Sequence, residues 1–90
     1  MKFDWDPNKA ATNKRKHGVS FYEAVTVFGD PLAITYDDPG NSRSEQRLLT
    51  FGMSQRERLL VLSHTTKGDV VRIISARPMT ANERKIYEED

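Results

Sequence analysis

Two arginines bracket an aliphatic run in VVRIISARPMT, residues 70–80: Arg72 and Arg77. A guanidinium keeps its charge in a protein and presents a planar fork of N–H donors that matches two phosphate oxygens. Otherwise the run has the character of a buried strand. Either both side chains reach water, or the sheet carries a working face. Neighbouring segments extend the set. RLLVLSHT (58–65) holds His64 and Thr65, and the turn after it holds Lys67. EQRLLTF (45–51) holds Glu45 and Arg47, and TANERKIY (80–87) holds Arg84 and Tyr87. Such residues on a sheet face and an adjoining helix suit a phosphate-bearing ligand. They also suit metal-free RNA cleavage, in which a 2′-hydroxyl attacks the adjacent phosphorus. That reaction needs a base for the hydroxyl proton, cations for the developing charge, and an acid for the leaving 5′-oxygen. Histidine titrates near neutrality and fits either proton role.

Spacing alone does not single out this chemistry, and each residue has a plainer reading. Arg72 and Arg77 stand at strand ends, where long side chains reach water and find ion-pair partners. They are five apart, so in a regular strand they point to opposite faces; a bulge near Ser75 would change that. His64 can be a core histidine and His17 a helix-end residue beside the dipole. Lys14–Lys16 can be a solvated helix end. Glu45 and Arg47 can pair with each other or across strands, Tyr87 can pack its ring on the sheet, and Trp5 fits the core.

The elements that must position these groups are legible. FDW (3–5) is a short strand. Asp6 caps a helix with Pro7 at its first position, and the helix ends at about His17 before Gly18. Its only apolar residues are Ala10 and Ala11, so it buries little. SFYE (20–23) is a capping box, in which Ser20 caps and Glu23 reaches back. Phe21, Ala24, Val25 and Phe28 follow at helical spacing and form the stripe that covers the sheet. GDP (29–31) ends that helix. Strands are expected at 32–36, 45–51, 58–65 and 70–76, with a turn-rich loop at 37–44 and a tight turn around Gly68. TANE (80–83) is a second capping box, opening a short helix through Tyr87 whose acidic end opposes the dipole. The order β-α-α-β-β-β-β-α predicts one α+β domain over residues 1–90. Its sheet is mostly antiparallel, of four to five strands, with two N-terminal helices and a short C-terminal one.

The bulk numbers bound the function. Ninety residues with 37% hydrophobic content allow one modest core. Net charge is +1, yet residues 58–77 carry Arg58, Lys67, Arg72 and Arg77 against Asp69 alone. A local basic patch attracts phosphate without a high global charge. There is no cysteine, hence no disulfide framework and no cysteine zinc site. No apolar run is long enough to span a membrane, and the acidic N-terminal stretch is unlike a signal peptide. A soluble, cytoplasmic chain is expected, with no cofactor and no metal.

Two long segments carry a family resemblance. FDWDPNKAATNKRKHGVSFYEAVTVFGDP (3–31) resembles the opening of BrnT-type toxins, and RLLVLSHTTKGDVVRIISARPMTANERKIYEE (58–89) resembles their second half. Only 37–57 is loosely patterned. The resemblance implies a bacterial, metal-independent endoribonuclease toxin of a type II toxin–antitoxin pair, RelE-like in fold, that inhibits translation and growth. It implies a BrnA-like ribbon-helix-helix antitoxin as partner, an RNA substrate, and operator DNA reached only through the antitoxin. On the matching positions it implies Arg77 for transition-state charge, Arg72 for phosphate positioning and His64 as an acid or base. Lys67, Arg47, Thr65, Arg84 and Tyr87 become RNA-binding candidates, with Glu83 part of the same helix motif. Two positions depart from the pattern. Lys67 stands where arginine is frequent, which keeps charge but loses the fork, and Met79 stands where a small residue is common. The reading from a different class is a non-catalytic module that binds an antitoxin in operon control.

Overall fold

The computed structural model describes residues 1–38 and 46–89. Elements follow the expected order: β1 (Lys2–Trp5), α1 (Pro7–His17), α2 (Phe21–Ala24) with a 3₁₀ turn (Val25–Gly29), β2 (Ile34–Asp37), β3 (Leu48–Met53), β4 (Leu59–Lys67), β5 (Val70–Pro78) and α3 (Ala81–Glu89). Among the described residues, five strands form one sheet in the order β1-β5-β4-β3-β2. All pairs are antiparallel except β1 with β5. The long connection through α1, α2 and three strands is what allows a parallel pair there. Most of the turn-rich loop, residues 39–45 with Glu45, lies outside the described residues.

Local chemistry sets the helix ends. The Asp6 carboxylate accepts from the Asn8 N–H at 2.8 Å, and Gly18 takes the left-handed conformation that ends α1, at φ 69°. The second capping box forms in full: Thr80 Oγ1 accepts from the Glu83 N–H, and Glu83 accepts from the Thr80 N–H. The first forms by half. Ser20 accepts from the Glu23 N–H at 3.0 Å, but the Glu23 carboxylate turns away to Arg58 and to Ser54 Oγ. Glu23 is buried, so it satisfies a guanidinium rather than a backbone N–H. That pairing ties α2 to the β3–β4 connection, and Arg58 also donates to the Gly18 carbonyl at 3.0 Å.

The main core lies between α1, α2 and the inner face of the sheet. Leu60, Leu62, Val71, Ile73 and Ala76 meet Val19, Phe21, Ala24 and Val27. Val27 is fully buried while Val25 and Phe28 are only half so, unlike the expected stripe. The reason is the 3₁₀ turn: at three residues per turn, Phe21, Ala24 and Val27 line up inward. A smaller cluster, Phe51, Val61 and Met79 with Leu49, Leu59 and Tyr87, sits on the outer face beneath α3. Helices therefore lie on both faces, and the outer one is covered at one end only.

The inner face needs two special positions. Gly52 lies against Val27, where an added Cβ would stand 2.7 Å from Val27 Cγ1. Asn13, the buried residue of α1, replaces a missing strand. Strand β1 stops opposite Ile73, leaving the next stretch of the β5 edge unpaired. The Asn13 carboxamide fills in: Oδ1 accepts from the Ala76 N–H at 3.0 Å, and Nδ2 donates to the Ala76 carbonyl at 2.8 Å and the Val19 carbonyl at 3.0 Å. Asparagine has the donors and acceptor for all three.

Two substitutions test this packing by urea denaturation. Asn13→Ala orphans three backbone groups and is expected to lower stability by about 2–4 kcal/mol. Gly52→Ala gains about 0.5–1 kcal/mol of chain entropy but overpacks by about 1–3 kcal/mol, so net destabilisation is expected.

Candidate nucleic-acid interface

Strand pairing decides where the arginines point. Ser63 pairs with Ser75, but the next residue, His64, pairs with Ile73, so Ile74 is an extra residue in β5. This bulge resets the alternation. Arg72 lies opposite Thr65, Ser75 opposite Ser63, and Arg77 opposite Val61. All three now belong to the outer face, while Ile73 and Ala76 both serve the inner core. A regular strand would have put Arg72 and Arg77 on opposite faces; the bulge puts them on one. They are separated by two steps of the pleat, about 13 Å.

Around Arg72 the outer face is open. Asp4, Thr65, Lys67, Val70 and Arg72 line a pocket of about 240 Å³. Three of the expected RNA-binding or catalytic residues therefore converge: Arg72, Thr65 and Lys67. Thr65 is buried and Lys67 exposed. Extending the β3–β4 register by one residue sets Arg47 in the same transverse row as Thr65 and Arg72. The Arg47 carbonyl accepts from the Asp38 N–H at 2.9 Å, which keeps this end of the β2–β3 hairpin closed. Asp4 is the addition that the sequence did not flag. It pairs with Arg72 at 3.3 Å across the parallel β1–β5 ladder, and both side chains remain about half exposed. Only the parallel register, Asp4 opposite Arg72, reveals it.

Arg77 stands at the covered end. Its guanidinium grips Glu83 through two hydrogen bonds, 2.7 and 2.8 Å, and donates to the Pro78 carbonyl at 3.2 Å. This bond, first, and the capping contacts with Thr80 hold the Glu83 carboxyl down at about 2, against its desolvation. The pair fastens α3 to β5. Tyr87 fastens the other end of α3: its hydroxyl donates to Asp30 Oδ2 at 2.7 Å, and this bond above all pushes the phenol up to about 12. Tyr87 therefore packs and anchors. Arg84 is exposed on α3.

His64 goes elsewhere. It lies on the inner face, 3% exposed, with Nε2 2.7 Å from Thr50 Oγ1 and its ring edge-on to Phe28. Thr50 Oγ1 in turn lies 2.8 Å from Thr35 Oγ1. His64 Nδ1 is buried without a hydrogen-bond partner. Neighbouring strand residues face opposite ways, so the HT pair delivers Thr65 to the arginines and His64 to the core. The structure does not bring His64 to Arg72 or Arg77.

Burial pushes the His64 imidazole down to about 4. Its folded value lies below the unfolded one, near 6.5, so the unfolded chain binds the proton more tightly. Stability is complete above about 6.5 and falls as pH drops toward 4. The loss is expected to reach about 2 kcal/mol at pH 5. Glu23 and Glu83, both held down at about 2, stabilise in full above about 4.5 and add to the loss only below it. Urea midpoints between pH 7 and 5 check this, with His64→Gln expected to flatten the slope.

Comparison with known proteins agrees with this architecture. The crystal structure, at 1.1 Å resolution, of the Brucella abortus ribonuclease toxin BrnT superposes with a TM-score of 0.70. The match covers 89% of this chain and 97% of that one at 23% identity, which shows a shared fold. No curated protein matches the chain. Among the described residues, no helix is long and apolar enough to cross a membrane. The family profile described as "Ribonuclease toxin, BrnT, of type II toxin-antitoxin system" matches residues 5–83. With nearly the whole length matched, the chain belongs to the BrnT family of ribonuclease toxins of type II toxin–antitoxin systems.

Proposed function

We propose that this protein is a metal-independent endoribonuclease that cuts RNA by attack of a 2′-hydroxyl on its own 3′-phosphate, inhibiting translation and growth. The observation that carries the reading is the bulge at Ile74, which gathers Arg72, Arg77, Thr65 and Ser75 on one face. Arg72 holds the phosphate, with Lys67 beside it and Thr65 as a neutral donor. Arg77 exchanges its Glu83 partner for the phosphate and meets the charge that develops on the phosphoryl oxygens. Among the described residues Asp4 is the one carboxylate lining the open pocket, so it replaces His64 as the group that takes the hydroxyl proton, and the 5′-oxygen leaves with a proton from water. Arg47 and Arg84 guide the flanking strand. The neutralising partner is a BrnA-like ribbon-helix-helix antitoxin, through which alone the complex touches operator DNA.

One observation favours a second reading. Arg72 is paired with Asp4 and Arg77 with Glu83, so each guanidinium has a carboxylate of its own. Arginines so matched would serve a non-catalytic module that binds an antitoxin in operon control.

Cleavage of bulk RNA by antitoxin-free protein in EDTA separates the two. The toxin reading expects fragments ending in 2′,3′-cyclic phosphate. Arg72→Ala and Arg77→Ala are each expected to lose about 10²–10³ in rate, and Asp4→Asn about 10²–10⁴. No cleavage, even with translating ribosomes, favours the binding module.

A further inference from the structure

We infer a second phosphodiester site in the groove between α1 and the bulge of β5, which extends the RNA path beyond the outer face. The inference rests on the ribonuclease reading and assigns that RNA a further contact. The groove encloses about 300 Å³ and is lined by Lys9, Thr12, Asn13, Lys16 and His17 of α1 and by Ser75 of the bulge. Lys9, Thr12, Asn13 and Lys16 follow at i, i+3, i+4 and i+7. In a small α+β protein that stripe is normally the apolar one facing the sheet. Here it holds two lysines and two hydrogen-bonding side chains; Asn13 is spent on the fold, and Thr12 Oγ1 accepts from the Arg15 guanidinium at 3.3 Å.

Charge points to an anion. No carboxylate among the described residues lines the groove. Among the described residues, neither Lys9 nor Lys16 forms an ion pair, whereas Arg58, Arg72 and Arg77 each do. Unmatched lysines around a concave surface concentrate positive potential where a phosphate can enter. The His17 ring is half-buried at the rim and carries an N–H donor in either protonation state.

Position points to RNA rather than to an acidic peptide. Ser75 lies between Arg72 and Arg77 on the outer face and also lines the groove. A single strand lying along the arginines therefore reaches the groove without leaving the surface. The bulge makes this possible, because it opens the β5 edge at the point where β1 has already ended.

The test uses a single-stranded oligonucleotide with 2′-O-methyl sugars, which binds but cannot attack. Affinity is read by fluorescence anisotropy over a range of salt. Lys9→Glu and Lys16→Glu are each expected to weaken binding tenfold or more and to flatten the log–log salt slope by about 0.7. Lys14→Glu, on the same helix, outside the groove and equal in charge change, is expected to shift affinity less than threefold. Thermal unfolding of each variant confirms that it is folded. Equal weakening by all three substitutions would reduce the effect to net charge and overturn the groove. So would groove variants that bind RNA like the parent chain but no longer retain the antitoxin, which would make the groove a protein interface. If the parent chain itself neither binds nor cuts RNA, the ribonuclease reading fails. If it does both and the groove variants match it, only the groove fails.

Discussion

The structure turns on one amide. Asn13 occupies the edge of β5 where β1 has run out, giving Ala76 the donor and acceptor that a neighbouring strand would have supplied. That contact holds α1 against the sheet although the helix has almost no apolar surface to bury. It also seats just beyond the extra residue Ile74, so the strand can be irregular at its most sensitive point without leaving backbone groups dry and unpaired. An irregular strand here has two effects at once. Ile73 and Ala76 both stay in the core, and Arg72 and Arg77 both face out.

Electrostatics divides the surface by the same geometry. Three guanidiniums are matched: Arg58 with buried Glu23, Arg72 with Asp4, Arg77 with Glu83. The first and third pairs brace the fold, tying α2 and α3 to the sheet. The second is half exposed at the open end of the outer face, where solvent weakens its hold and a phosphate can compete. Lys9 and Lys16 of α1 lie on the other side of the bulge, and among the described residues no carboxylate lines their groove. Binding strength for an anion thus depends less on how many cations the chain has than on which of them the fold has already used.

The expected elements were legible because they rest on local signals, and the family because two long segments resemble it. Asp6–Pro7, Gly18, Ser20 and Thr80 mark helix ends through bonds to near neighbours, and aliphatic runs mark strands. The covered and open ends of the outer face were not legible, since α3 reaches them through Tyr87 and the distant Asp30. Asp4 was missed because its importance comes from the one parallel pairing, with a partner far along the chain. Asn13 was missed because mid-helix asparagine usually signals only a weak helix former. His64 looked like an acid or base by residue type, and its neighbour Thr65 reaches the site instead.

By itself the sequence determined the order of elements, the helix caps, the aliphatic strands and the basic character of the last hairpin. Each depends on contacts a few residues apart or on composition. The tertiary structure alone decided the faces. One extra residue in β5 inverts every later side chain, and only the pairing with β4 shows where it sits. From that single register follow the shared face of Arg72 and Arg77 and the groove beside Lys9 and Lys16.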